Sequence, residues 1–511
     1  MRKIIVYLLI CSPVFLHAQK KNKNAEKIEK TITADDMRKH LYTIASKEME
    51  GRDTPSPGLE KAANYIESHF KSLGLLPGNK DSYRQYYPLY KDSVISAGLK
   101  INDVAFELNK DFQPQTSSYA AEMRFSEIVF AGYGISDDKR DDYKDLKVAG
   151  KLVVILDGAP ADYKSTQQGF RSPASSFGKT SAAMSKGAAA LMIVYNNFPR
   201  KATTTSGWTM NSYKAAQTPF TFYISAEIAS KLLGSNGNIF DKIKTGSVES
   251  KIYTANTEMS FAKTTVSTQV SNVLGLLEGT DKKDEYVFIT SHYDHVGKRN
   301  DTTIYYGADD DGSGTTGILE LAEAFAKAKA EGKGPRRSIV FMTVSGEEKG
   351  LWGSEYYSNH PVYPLDKTTV DLNIDMIGRI GSEYLKDKDS MNYVYVIGDD
   401  KLSSDLAVIT DKVNATYSKM KLDRKYNDPN DPNRFYYRSD HYNFAEKGVP
   451  IIFYFNGVHA DYHRPTDTPD KINYPLMAKR AQFVFYTAWE MANMDAMLKR
   501  DKKLEAPPRG F

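Results

Sequence analysis

Apolar positions along the chain fall into two textures. From about residue 264 to 500, short apolar runs bounded by turn residues alternate with stretches whose apolar positions recur every three or four residues. The runs Tyr286–Thr290, Ser338–Val344, Val370–Ile374, Tyr393–Ile397 and Ile451–Phe455 predict strands. Ile318, Leu321, Ala322, Phe325 and Ala326 share one face of a helix over 315–330. Ala481, Val484, Phe485, Ala488 and Ala492 share the face of another. Strand and helix in alternation predict an α/β sheet covered on both faces.

Upstream the pattern differs. Ala63, Ile66, Phe70 and Leu73 follow a helical repeat within 31–75, and Gly74 supplies a stop. Residues 76–123 mix short strands. From 124 to 258 the texture is β-rich: strands at Glu127–Ala131 and Lys151–Leu156, then a helix-to-strand step at Ala182–Gly187 and Ala188–Tyr195. This stretch carries few groups suited to catalysis and reads as an inserted domain. The expected order is a signal over 1–18, a polar linker over 19–30 and an N-terminal catalytic segment over 31–123. The insert (124–258), the main catalytic segment (259–500) and a tail (501–511) follow.

Composition narrows the function. With 41% apolar and 26% charged residues in 511, the chain is an ordinary globular one. A net charge of +4 on 68 basic and 64 acidic residues gives no basic excess suited to nucleic acid. The single cysteine excludes an internal disulfide framework, a cysteine-based zinc site and an iron–sulfur cluster. Arg2 and Lys3 precede an apolar run, Ile4–Leu16, and Ala18 offers a small residue for cleavage before Gln19. That is an export signal, implying a periplasmic or extracellular protein. The alternative, a lipoprotein signal at Cys11, is opposed by bulky Ile10 and by apolar residues continuing past the cysteine. No other run is apolar and long enough to span a membrane, so the mature chain has no expected transmembrane segment.

Candidate chemistry sits in five places, four directly after a predicted strand. They are SHYDH (His292, Asp294, His295), GADDDGSG (Asp309, Asp310, Asp311), SGEEKG (Glu347, Glu348), Asp375, and DYH (Asp461, His463). Ligands of open α/β sheets bind outside the carboxyl ends of the strands. Imidazoles and carboxylates without thiolates suit zinc, manganese or cobalt in a catalytic role. Taken singly, the three aspartates fit a helix N-cap cluster equally well, and the paired glutamates fit a solvated turn. Together they offer more ligands than one catalytic zinc needs, which favours two ions sharing a carboxylate. The tract NDPNDPN at 427–433 reads as a turn-rich surface loop, with a calcium loop the weaker alternative.

The motifs HYD, GADDDGSG, GEE, DMIG, RSDH and YH, in that order, resemble the M28 family of zinc metallopeptidases, and EGRDTPSPG at 50–58 resembles its N-terminal region. GYG, DDY, GK and KGA in the insert resemble a protease-associated (PA) domain. The resemblance implies a zinc-exopeptidase-like fold with a mixed, mostly parallel sheet, and two Zn2+ ions, with other divalent ions possible. It implies Asp310 as the bridging ligand, His292 and Asp375 completing one site, and Glu348 and His463 completing the other. Glu347 would be the general base acting on a metal-activated water, with Asp294 and Asp311 supporting from outside the ligand set. Tyr462 would stabilise the oxyanion, Arg438 would contact substrate, and the Asp310–Asp311 peptide would be cis. His295 and His459 match no ligand position. The implied activity is an aminopeptidase acting on peptides. Alternatives on the same scaffold are a carboxypeptidase, a single-zinc glutaminyl cyclase, and a receptor-like protein without the chemistry.

Overall fold

The computed structural model describes residues 21–504 apart from 166, 168, 170–171, 202–204, 212–218 and 245–247. The expected signal with Cys11, and most of the tail, lie outside the described residues. Among the described residues no helix is long and apolar enough to cross a membrane. The chain divides into two units, one made of the residues up to Tyr87 with Gln269 onward, the other of Pro88–Thr268.

The second unit is built on parallel pairing of Ala121–Phe130, Leu152–Leu156, Ala190–Tyr195 and Phe220–Ser225. Phe130, Val154, Met192 and Phe222 fill its core without exposure.

In the first unit the strands Lys282–His292, Arg337–Val344, Thr368–Ile374 and Ile451–Phe455 run parallel, with Lys282–His292 at the centre. Antiparallel neighbours flank them: Tyr393–Ile397 against Ile451–Phe455, and the end of Ile252–Leu277 against Arg337–Val344. The parallel strands are buried along most of their length, which is why they read as unbroken apolar runs. Alternate side chains point to opposite faces. Phe288 packs on Tyr357 and Phe444, from the short helices Trp352–Asn359 and His441–Glu446. Phe341 points the other way, onto Phe70 and Phe325 of the helices Pro57–Ser72 and Gly312–Ala330. The sheet is therefore covered on both faces, as the alternation predicts.

Two local expectations change. Part of the stretch read as a polar linker forms a helix, Lys23–Glu29, capped by Asn22 and burying Ala25 and Ile28. The helical stretch over 31–75 is two helices, Ala34–Ile44 and Pro57–Ser72, with a tight turn between them. Glu50, Gly51 and Arg52 of that turn all have positive φ. A Cβ at Gly51 would collide with the Gly297 carbonyl, so the close approach of these loops requires glycine.

That turn delivers Arg52 to a fully buried position. Its guanidinium donates to the carbonyls of Tyr293 at 2.7 Å, Ile44 at 2.9 Å, Tyr306 at 2.8 Å and Gly307 at 2.9 Å. Burial pulls its pKa down to about 10, while Asp294, Asp311, Asp310 and Asp467 hold it up. The side chain thus fixes the 293–307 loop and supplies a positive charge beneath a group of acids. Arg52→Ala should lower the unfolding free energy by about 3–5 kcal/mol, because it strands buried carboxylates and carbonyls. Urea denaturation of the two proteins checks this, and coincident midpoints would contradict it.

Candidate metal centre

The carboxyl ends of the parallel strands bring the predicted residues to one edge. His292 ends Lys282–His292, Asp375 follows Thr368–Ile374, and Glu347 and Glu348 begin a short turn of helix just after Arg337–Val344. His463 lies in the loop beyond Ile451–Phe455. Met376 and His463 have φ of 61° and 54°, the left-handed region that non-glycine residues rarely adopt.

The three adjacent aspartates separate into three tasks. Asp311 caps the helix Gly312–Ala330: its Oδ1 accepts from the amides of Gly314 and Met376, each at 2.9 Å. Asp309 accepts from the Gly378 amide at 2.7 Å and lies 3.1 Å from His459 Nε2. Asp310 alone directs both oxygens into the centre, and its peptide bond to Asp311 is cis, the form the resemblance implies. Its Oδ1 is 3.4 Å from His292 Nε2, and its Oδ2 is 3.0 Å from His463 Nε2. The remaining candidates divide around these two oxygens. Asp375 Oδ1 lies 3.7 Å from His292 Nε2, and Glu348 Oε2 lies 3.0 Å from His463 Nε2. Glu347 Oε2 is 3.9 Å from His292 Nε2, on the Asp375 side.

Supporting hydrogen bonds hold these groups from behind. The backbone carbonyl of Asp294 lies 3.1 Å from His292 Nδ1, and its carboxylate lies 3.7 Å away. That carboxylate accepts from the Glu347 amide at 3.2 Å and from the Thr54 hydroxyl at 3.1 Å. Ser439 donates to Asp375 Oδ2 at 2.7 Å and accepts from Asn373 at 2.9 Å. Asp467, fully buried, accepts from the amides of Asp309 at 2.9 Å and Asp310 at 3.3 Å.

The donor set fits divalent cations. His292 Nε2, Asp310 Oδ2, Glu348 Oε1 and His463 Nε2 are buried atoms without a hydrogen-bond partner, a costly state that a bound cation relieves. Electrostatics point the same way. Burial alone would lower the imidazole pKa of His292, yet the carboxylates of Glu347, Asp294, Asp310 and Asp375 around it push it well above its usual value. Burial likewise opposes, and Asp310 and Glu348 outweigh it, in raising His463 to about 10. Burial, reinforced by Glu348 and Asp375, drives Glu347 well above the usual carboxylate range. The pocket is a field that stabilises positive charge.

A cleft opens above Asp310, Glu347 and Asp375, with Met376, Phe435, Phe453, Phe455 and Val458 as its apolar wall. Tyr462 and Arg438 complete its lining, with Arg438 Nη2 3.4 Å from the Tyr462 hydroxyl. The Tyr462 ring also stacks on His463 at 4.0 Å. In the 427–433 tract, Asp428 and Asp431 accept from nearby backbone amides, as turn residues do.

One residue set aside in the sequence joins the cluster. His295 Nδ1 is 2.8 Å from Glu348 Oε1 and 3.8 Å from Asp310 Oδ2, with no exposed surface. Its spacing of three from His292 was the available signal. Thr54 and Ser439 lie inside the EGRDTPSPG and RSDH motifs, but their parts, like that of Asp467, depend on tertiary placement.

Residues 272–488 match the family model Peptidase family M28. A probable leucine aminopeptidase of Arthroderma otae is 27% identical over 273 residues, 47% of this chain and 69% of its own length. A probable zinc metalloprotease of Leptosphaeria maculans is 34% identical over 114 residues, 22% of this chain and 25% of its own. The solved structure of an aminopeptidase from Aneurinibacillus sp. strain AM-1 shares the fold, with a TM-score of 0.53 at 21% identity, covering 94% of this chain and all of that one. The segment that carries the strand-end imidazoles and carboxylates, residues 272–488, is thus the part of this chain that matches peptidase family M28.

Proposed function

We propose that the protein is a zinc exopeptidase that removes N-terminal residues from peptides, with two zinc ions held around Asp310. The carrying observation is the division of imidazoles and carboxylates between the two oxygens of one buried aspartate. His292 and Asp375 would hold one ion, Glu348 and His463 the other, and Asp310 both. Bound zinc supplies Lewis acidity, which acidifies water and polarises a carbonyl.

The chain's own residues do the rest. Glu347 borders the cleft, and its carboxylate accepts the proton of the attacking water and returns it to the leaving amine. Its backbone is fixed by Asp294, which keeps the base in place between the two transfers. The Tyr462 hydroxyl lies on the cleft wall, where it donates to the developing oxyanion. The free amine of the substrate sits between Glu347 and Asp375, so that the enzyme reads N-termini. The wall of Met376, Phe435, Phe453, Phe455 and Val458 receives an apolar side chain. This agrees with the leucine aminopeptidase name of one relative. Arg438 contacts the substrate from the rim, and the apolar N-terminal run directs the chain out of the cytoplasm.

Three measurements test the reading. Glu347→Gln should keep its zinc by elemental analysis and lose about 10²–10⁴-fold in kcat on leucyl substrates; full turnover would remove Glu347 as the base. A panel of end-blocked peptides should show N-acetylation abolishing cleavage and C-terminal amidation leaving it intact. The reverse pattern would make the enzyme a carboxypeptidase, and pyroglutamate release without cleavage would make it a cyclase. N-terminal sequencing of the exported protein should begin at Gln19, and an acylated Cys11 would replace that signal with a lipoprotein one.

A further inference from the structure

A second group of metal-ligating side chains lies outside the strand-end centre. Three helices of the first unit, Ala34–Ile44, Pro57–Ser72 and Gly312–Ala330, bring together His40, His69 and Glu323, and Glu320 approaches His40 beside them. Glu320 is eight residues along its helix from Gly312, about 12 Å of rise from the capped end.

The distances from the two imidazoles to Glu323 have the spacing of ligands around one ion. His40 Nε2 is 3.4 Å from Glu323 Oε1, His69 Nε2 is 3.3 Å from the same oxygen, and His40 Nε2 is 3.7 Å from Glu320 Oε1. Ligands about 2.0–2.2 Å from a tetrahedral zinc stand roughly 3.3–3.6 Å from one another. The strand-end pairs His292–Asp310 and His292–Asp375, at 3.4 and 3.7 Å, have the same spacing.

Two independent observations argue against a simple ion-pair network. The Glu320 side chain has no exposed surface, and neither of its oxygens has a hydrogen-bond partner. His69 Nε2 is also buried and unpartnered, so its approach to Glu323 is not a hydrogen bond. A buried carboxylate with both oxygens unsatisfied is costly unless a proton or a cation resides there. Burial, with Glu323 and Asp36 adding, pushes Glu320 up to about 8, and burial and His40 pull His69 down to about 4. Outer contacts orient the rings: the Tyr65 hydroxyl lies 2.7 Å from His40 Nδ1, and His69 meets the Leu319 backbone. The two carboxylates balance one dication, and the two imidazoles supply nitrogen donors. The partial exposure of Glu323 gives an ion a path from solvent.

We propose that His40, His69 and Glu323, backed by the buried Glu320 carboxylate, form a separate structural site for one zinc-class divalent ion, tying the two N-terminal helices to the helix that Asp311 caps. The proposal does not depend on the peptidase reading.

Zinc content and thermal midpoint of the purified full-length protein test it, after loading with Zn2+ alone and dialysis. His69→Gln and Glu323→Gln should each bind one zinc equivalent fewer than the parent. They should also lose the zinc-dependent rise in Tm that the second site contributes, with turnover on peptides at saturating zinc within two-fold of the parent. Because these variants could fold poorly, a second protein, Asp310→Ala/His463→Ala, removes strand-end ligands and leaves the helical cluster intact. It should retain one tightly held equivalent that His69→Gln then abolishes. Equal zinc content in parent and His69→Gln, or no zinc in the strand-end variant, overturns the site and leaves Glu320 as a buried protonated acid. A failure of the peptidase reading would instead appear as inactivity of a parent whose zinc difference from His69→Gln persists.

Discussion

Negative charge gathered in a buried place is the constraint on which this structure turns. Asp294, Asp309, Asp310, Asp311, Asp375, Asp440 and Asp467 are all buried at or near one edge of the sheet. In a low-dielectric setting such a group repels itself strongly, and each member has to be neutralised, hydrogen-bonded or paired. The fold answers for most of them with fixed dipoles. The start of Gly312–Ala330 and the Met376 amide take Asp311, the Gly378 amide takes Asp309, and Ser354 donates to Asp440 at 2.5 Å. These partners still leave one buried oxygen each on Asp309, Asp310, Asp311, Asp440 and Asp467 without a hydrogen bond, so negative charge remains for a cation to balance.

The same constraint explains why the first unit draws on chain from both ends. The loop after Lys282–His292 contains no cation of its own at the depth where the acids lie. Arg52 supplies it from the turn between the N-terminal helices, and Thr54, two residues on, bridges Asp294 and the Gly346 amide. A segment whose pattern reads as one helical stretch is thereby part of what fixes the centre. A catalytic segment beginning after the inserted unit would lack both contacts.

Legibility in the sequence followed the range of the forces involved. Tyr393–Ile397 and Ile451–Phe455 have the bounds their apolar runs predict, because a strand buried on both faces is specified by its own residues. The metal-facing residues were legible because strand ends are places the chain marks with abrupt changes from apolar to charged. The helix Lys23–Glu29 was not, since only Ala25 and Ile28 of its residues are buried and its stability comes from neighbours such as Tyr417, whose hydroxyl accepts from the Asn22 amide. The run of three aspartates was legible as two alternatives, a cap or a ligand set. The cap is formed by Asp311 alone, which leaves Asp310 free to face the centre.

His295 and His69 show where such reading stops, and for one physical reason. An imidazole becomes a ligand through the direction of its lone pair, which depends on what its other nitrogen meets and which carboxylate arrives opposite. His295 is three residues from an evident candidate, yet its carboxylate, Glu348, comes from a different strand end. His69 sits on a regular helix among residues of unremarkable pattern, and its partners arrive from two other helices. Spacing within one element identifies ligands when that element supplies several of them, as a strand-end loop does. Sites assembled one ligand at a time from separate helices leave no such trace, and are recognised by buried donors and acceptors that the protein alone does not satisfy.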